Sequence, residues 1–182
     1  MKTIGNERFA VKFDLTPRTG DPDEDSWLFG RMSFVLGGQI IGNAADTVSL
    51  RAASAALSEL VANRGRRCRS ALMEQSAESI FNIAYEALYV DKGQTDEQVA
   101  MDWDNYSPLL GIAKGFEAFD GWQAFLVEDE LVGRYVWRDM RVPTFQVQEQ
   151  ALKRGGMDDV LEDFLGEMKS LAQTRCPDDD TD

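Results

Sequence analysis

Hydrophobic and polar residues alternate with a period of two near the start of the chain. From Phe9 to Leu15 every second residue is large and apolar, with alanine, lysine and aspartate between them. This alternation predicts a β-strand that buries one face. A second apolar run, Trp27 to Leu36, predicts a well-buried strand, and the Gly37-Gly38 pair after it supplies the positive φ angles of a tight hairpin turn. Gln39 to Ile41 is then predicted as a short return strand.

The spacing of apolar residues becomes helical after Asp46. Leucines and alanines between Leu50 and Val61 fall on one face, which predicts a helix with Asp46 or Thr47 as its N-terminal cap. A second helix is predicted from Ser76 to Val90. Its inward residues are predicted to be Ile80, Ile83, Ala84, Ala87 and Leu88.

The second half of the chain returns to strands and then ends on a helix. Trp122 to Val127 and Leu131 to Arg138 predict a hairpin, and Thr144 to Val147 predicts a further strand. Residues 157–172 carry a continuous apolar stripe, which predicts a final amphipathic helix. Gln94 to Phe119 mixes acids, glycines and aromatics and predicts only a short helix or strand. The order of elements predicts an α+β fold with a mainly antiparallel sheet and helices packed on one face.

The size of the chain fits one domain with a substantial core. Of its 182 residues, 43% are hydrophobic and 10% aromatic, so we predict a single domain over residues 1–176. The acidic residues 177–182 are predicted to form a disordered tail. The N-terminus does not resemble a secretory signal, and no stretch approaches the roughly 18 apolar residues of a membrane span, which predicts a cytoplasmic protein.

The charged residues point to binding rather than catalysis. The chain has no histidine, the usual general base near neutral pH and the commonest metal ligand, so no catalytic residue, metal or cofactor is predicted. Its 32 acidic residues outnumber its 19 basic ones. This excess repels nucleic acid and anionic membranes and speeds encounter with a basic protein. The two cysteines, Cys68 and Cys176, are predicted to be reduced, with Cys68 an ordinary surface thiol.

The first long loop, Thr16 to Ser26, is predicted to be exposed and is strongly acidic. Its acidic residues are Asp21, Asp23, Glu24 and Asp25. A calcium loop needs regularly spaced ligands and a distal glutamate, and this stretch lacks that pattern. Two interpretations stay open: a solvated loop, or an acidic contact patch strengthened by the following Trp27.

A second cluster combines carboxylates with aromatic rings. Its members are Asp102, Trp103, Asp104 and Tyr106. Tryptophan and tyrosine dominate interface hot spots, and carboxylates beside them attract a partner's arginine or lysine. The alternative is a tryptophan at the edge of the core with solvated acids around it. In a strand, Asp102 and Asp104 would share a face, which leaves a glycosidase-like pair as a more distant option.

A short basic cluster contrasts with the acidic chain. It consists of Arg64, Arg66, Arg67 and Arg69. Such a cluster can bind phosphate or nucleic acid, but it lacks the interleaved aromatic residues that single-strand binders use. Pairing with the chain's own acids, or simple solvation, is therefore the favoured interpretation.

Several short motifs resemble the immunity proteins of bacterial polymorphic toxin systems, most closely immunity protein family forty-two. They are Ile4-Gly5-Asn6, Trp27-Leu28-Phe29-Gly30, Gly37-Gly38, Phe119-Asp120-Gly121-Trp122 and Val136-Trp137-Arg138. The likeness runs from about residue 4 to 172. It implies a non-enzymatic cytoplasmic protein, encoded beside a toxin that it binds and neutralises, and it offers no catalytic residues to carry over.

Two functional hypotheses follow. In the first, the chain neutralises a cognate toxin domain that is basic, for example a nuclease, and contacts it through the cluster at residues 102–106 or the acidic first loop. In the second, it is a small carboxylate-dependent hydrolase or a metal-dependent phosphoesterase. Neither a nucleic acid nor a membrane is an expected partner, and the sequence does not define an oligomeric state.

Overall fold

The computed structural model describes residues 1–21, 25–112 and 117–175, and within them the chain divides into two compact units. The described residues of the first unit are 1–21, 25–61, 117–120 and 157–175, and the second unit comprises Ala62–Ile112 and Gly121–Gly156. The single domain over residues 1–176 stays a prediction. The predicted acidic tail, 177–182, lies outside the described residues.

The first unit contains an antiparallel sheet of five strands. Its strands are β1 (Lys2–Gly5), β2 (Phe9–Leu15), β3 (Phe29–Leu36), β4 (Gln39–Ile41) and β5 (Thr47–Ser49). The order is β1-β2-β3-β4, and β5 also pairs with β3. The predicted hairpin is confirmed: Gly37 and Gly38 have φ angles of 56° and 82°, and Leu36 pairs with Gln39.

The first unit also contains most of α1 (Leu50–Ala62) and most of α5 (Gly156–Arg175). The predicted apolar stripe of α5 supplies core residues, because Met157, Leu161 and Phe164 are all fully buried. The ring of Phe164 meets Phe13 of β2 edge to face at 5.3 Å. The alternation in β2 and the helical spacing in α5 therefore meet in one hydrophobic core.

The second unit contains a three-stranded antiparallel sheet and three helices. The strands are β6 (Trp122–Glu128), β7 (Val132–Asp139) and β8 (Gln148–Lys153), in that order. The helices are α2 (Ser70–Met73), α3 (Ala77–Tyr89) and α4 (Asp96–Tyr106). The core joins α3 to the sheet, with Phe81 against Phe125 at 5.3 Å between ring centres. The predicted α+β class with antiparallel pairing is confirmed.

Four local predictions are wrong. The N-cap of α1 is Ser49, whose Oγ accepts a hydrogen bond from the Ala52 N–H at 3.1 Å, because residues 47–49 pair with β3 instead of entering the helix. Ile83 is 37% exposed rather than inward. The last strand is β8 rather than Thr144 to Val147. Trp27 precedes β3 instead of belonging to it.

Candidate functional site

The cluster at residues 102–106 lies on helix α4, and local sequence defines where that helix begins. Thr95 Oγ1 accepts a hydrogen bond from the Gln98 N–H at 3.3 Å, and Gln98 Oε1 accepts one from the Thr95 N–H at 3.0 Å. This reciprocal capping box satisfies two backbone donors that a helix start otherwise leaves without partners. Helix α4 therefore begins at Asp96, directly after its N-cap residue Thr95.

Helix α4 is acidic and lies at the surface. It carries four carboxylates and no basic residue, and none of its side chains is buried. Asp96 and Glu97 stand in the first turn, where the positive end of the helix dipole favours them. Asp102 and Asp104 stand near the other end, where the dipole is negative and repels them. Helix stability alone does not explain carboxylates at that end.

The four predicted contact residues on α4 divide into two pairs. Trp103 is 51% exposed and Asp104 is also exposed, so both are accessible to a partner. Asp102 is half-buried and accepts a hydrogen bond from Gln94 Nε2 at 2.9 Å. Tyr106 is half-buried and packs against the core of the second unit. Tyr106 thus anchors the helix, while Trp103 and Asp104 form its accessible surface.

The suggestion that Asp102 and Asp104 share one face is wrong. It required a strand, and the structure has a helix at these positions. Residues two apart on a helix point about 200° away from each other around its axis. The two carboxylates therefore do not converge in the manner of a glycosidase pair.

The basic cluster fixes the far end of α4. Arg69 Nη2 donates to the carbonyl oxygen of Asn105, in the last turn of the helix, at 2.9 Å. Arg67 is fully buried, and its Nε donates to the carbonyl oxygen of Pro108, just beyond the helix, at 3.3 Å. A cation at a helix C-terminus satisfies carbonyl groups and complements the dipole. Phosphate binding, the alternative that the sequence did not favour, receives no support here, because these two guanidinium groups hold backbone carbonyls.

The acidic first loop is less exposed than predicted. Asp21 is exposed, while Asp23 and Glu24 lie outside the described residues. Asp25 is only 4% exposed, which corrects the prediction that the whole loop is solvated. Its carboxylate accepts hydrogen bonds from the Thr19 N–H at 2.9 Å and from Arg18 Nε at 3.2 Å. The Thr19 N–H, followed by the Arg18 guanidinium, holds the pKa of Asp25 below its usual value.

Other buried carboxylates are also engaged in hydrogen bonds. Glu128 Oε1 accepts a hydrogen bond from the Gly155 N–H at 2.8 Å, and Asp139 makes a two-point contact with the guanidinium of Arg141. The first unit has a pocket of about 470 Å³ lined by residues of α1 and α5, including Arg51 and Lys169, and its described lining contains no carboxylate. Within the described residues, neither Glu128 nor Asp139 lines this pocket.

The described part of the chain contains neither a helix suited to a membrane nor a cluster of metal ligands. None of its helices combines the length and apolar character needed to cross a membrane. Among residues 1–21, 25–112 and 117–175, no group of three or more cysteine, aspartate or glutamate residues could hold a metal ion.

Comparison with known proteins identifies a similar fold and the family of the chain. No curated protein matches it. Among solved structures, CdiI from Burkholderia dolosa AUO158 aligns with a TM-score of 0.70 and 19% sequence identity, covering 91% of this chain and 99% of that one. At this identity the likeness shows a shared fold. The family model described as Immunity protein 42 matches residues 2–167, as the motifs between Ile4 and Arg138 predicted, and the chain belongs to that family.

Proposed function

We propose that this chain binds and neutralises a cognate toxin, and that it does so by occupying a surface of the toxin rather than by catalysis. The observation that carries the proposal is the family match over residues 2–167. The likeness to CdiI from Burkholderia dolosa AUO158 across 91% of the chain is consistent with it. We place the encounter in the cytoplasm, where a toxin that attacks nucleic acid would act.

The partner we propose is a basic toxin domain. The net charge of −13 favours rapid encounter with a cationic surface and disfavours nucleic acid. Nucleases present lysine and arginine to phosphates, so a nuclease toxin fits this charge complementarity.

The contact surface we propose is the exposed side of α4. Trp103 offers a large, rigid contact area with an indole N–H, and Asp104 offers a carboxylate for a partner's lysine or arginine. Tyr106 and Asp102 support this surface through the core and through Gln94. The acidic first loop, with Asp21, Asp23 and Glu24, is a second contact candidate in which Asp25 has a supporting role.

Coexpression with the toxin gene tests the function directly. Cells that produce the toxin should grow when the wild-type chain is present. A toxin that kills equally well in its presence would refute the neutralising function.

A variant pair tests the surface. Trp103→Ala should weaken protection at limiting expression, because it removes the central aromatic contact. Leu131→Ala is the matched control, since Leu131 is 78% exposed in the β6–β7 turn of the same unit and should protect fully. Full protection and wild-type toxin affinity with Trp103→Ala would refute α4 as the contact surface while leaving the function intact.

A further inference from the structure

The turn before β3 in the first unit has a strained backbone. Leu28 has a φ angle of 51°, and it is the one non-glycine residue with positive φ in the described chain. A branched side chain pays a steric cost in this left-handed region. Leu28 is also only 1% exposed, so it is held there by its surroundings. Such strain persists where the fold over-determines a conformation, and it is commonest at functional positions.

Hydrogen bonds tie this turn to the start of helix α1. The carbonyl oxygen of Trp27 accepts hydrogen bonds from Ser49 Oγ at 3.0 Å and from the Arg51 N–H at 3.4 Å. The carbonyl oxygen of Leu28 accepts one from the Leu50 N–H at 3.2 Å. The turn before β3 therefore supplies carbonyl acceptors for N–H groups at the start of α1, which have no partners within the helix.

The buried Asp25 fixes the same turn from the other side. Its carboxylate is held by Thr19 and Arg18, and its carbonyl oxygen accepts a hydrogen bond from the Leu28 N–H at 3.3 Å. Trp27 is therefore attached to a backbone that is fixed on both sides. Little conformational freedom remains to be lost there on binding, which favours affinity.

This rigid turn presents two large aromatic side chains to solvent. Trp27 is 51% exposed and Phe29 is 41% exposed, on either side of the buried Leu28. The carbonyl oxygen of Phe29 is in turn held by the Thr16 N–H at 2.9 Å and Thr16 Oγ1 at 2.8 Å. A half-exposed aromatic ring buries only part of its apolar area on folding, whereas rigid aromatic anchors dominate binding energy at interfaces.

We infer that Trp27 and Phe29 form a second contact surface of this chain, for an arginine- or lysine-bearing segment of the toxin proposed above. Charge complementarity selects this occupant, because residues 14–31 contain five acidic and two basic residues. An arginine or lysine over the indole of Trp27 gains a cation–π interaction in addition to buried apolar area. In this arrangement Asp25 positions the turn and does not touch the partner.

Binding of purified cognate toxin domain to alanine variants tests the inference. Trp27→Ala should weaken affinity by about tenfold or more, and Phe29→Ala by a smaller factor. Ile40→Ala is the matched control, since Ile40 is 49% exposed on β4 of the same unit and should bind as the wild type does. Thermal unfolding of each variant, compared with the wild type, separates lost contacts from lost folding.

Each outcome has a definite meaning. Wild-type affinity in a folded Trp27→Ala variant overturns this inference and leaves the proposed function standing. A wild-type chain that does not bind its toxin overturns both. If Trp27→Ala leaves toxin affinity unchanged but converts a dimer to a monomer in sedimentation, the surface joins two copies of this chain and the inference is wrong.

Discussion

Replacing Asp104 by asparagine should move stability and toxin affinity in opposite directions. Asp104 is exposed in the last turn of α4, where the negative end of the helix dipole repels its charge and the Arg69 guanidinium at the Asn105 carbonyl offsets part of that repulsion. Asparagine keeps the shape of the side chain and removes that repulsion. If Asp104 serves the partner rather than the helix, the same change removes a favourable charge from the interface.

The size of both effects follows from the position of the carboxylate. A unit charge about 6 Å from a half charge in a dielectric of about 80 is repelled by about 0.3 kcal/mol, and helix-terminus effects reach about 1 kcal/mol. This corresponds to a rise in melting temperature of about 1–3 °C for a chain of this size. Loss of a solvent-exposed ion pair with a partner's cation at about 4 Å costs about 1 kcal/mol, or about fivefold in Kd.

Two controls make this prediction specific. Asp96→Asn removes a carboxylate from the opposite end of the same helix, where the dipole favours it, so this variant should be less stable than the wild type by a similar amount. Glu130→Gln removes the same charge from an exposed turn of the same unit and should leave affinity nearly unchanged. Thermal unfolding measures the stabilities, and stopped-flow or surface-based binding measures association rate and Kd at low salt.

Two results would refute the reasoning. An Asp104→Asn variant that is less stable than the wild type would show that the dipole does not act on this carboxylate as argued. A variant that is more stable but binds the toxin with the wild-type rate and Kd would show that Asp104 does not face the partner.

Three further predictions concern the fold. Ser49→Ala should lower the free energy of unfolding by about 1 kcal/mol in urea titration, because α1 loses its N-cap; an unchanged value would contradict that role. Phe81→Ala should lower the free energy of unfolding by about 3–5 kcal/mol, because the Phe81 ring is 1% exposed and packs against Phe125, so that its removal leaves a cavity. A loss below about 1 kcal/mol would be inconsistent with this packing. The guanidinium of Arg141 donates hydrogen bonds to Asp139 and lowers the pKa of that carboxyl below 3.8. The ionised Asp139 therefore stabilises the fold above pH 3.8, and this stabilisation is lost as the pH falls through the lowered pKa. Urea titrations above and below pH 3.8 measure how much the free energy of unfolding falls on acidification. This fall should be smaller in Asp139→Asn than in the wild type, and an equal fall would contradict the pairing.

Periodicity predicted the elements whose side chains build the cores. The alternation from Phe9 to Leu15 matches β2 in full, and the stripe over residues 157–172 lies within α5. Because each of these elements buries one face, its apolar residues recur with the period of a strand or a helix, and the sequence shows that period. Strand β8, with the sequence Gln-Glu-Gln-Ala-Leu-Lys, has no such pattern and buries only Leu152. Its extended form depends on pairing with β7, which local sequence does not encode.

The candidate site was predictable only in its chemistry. Acid and aromatic residues at 102–106 predicted a contact surface, which stays a prediction, but no apolar stripe marked α4 as a helix, since none of its residues is buried. The hydrogen bond from Arg69 to the carbonyl oxygen of Asn105 joins residues 36 positions apart, so no local sequence pattern predicts it. The burial of Asp25 likewise depends on the folded turn around it.

Calorimetric titration of the wild-type chain with its purified toxin domain, at low and at high salt, tests toxin neutralisation through an acidic surface most directly. We expect a tight one-site association whose Kd rises severalfold with salt, because screening weakens attraction between exposed opposite charges. Absence of heat and of binding at both salt concentrations would contradict the proposed function. Tight binding that is indifferent to salt would contradict the role of the carboxylates.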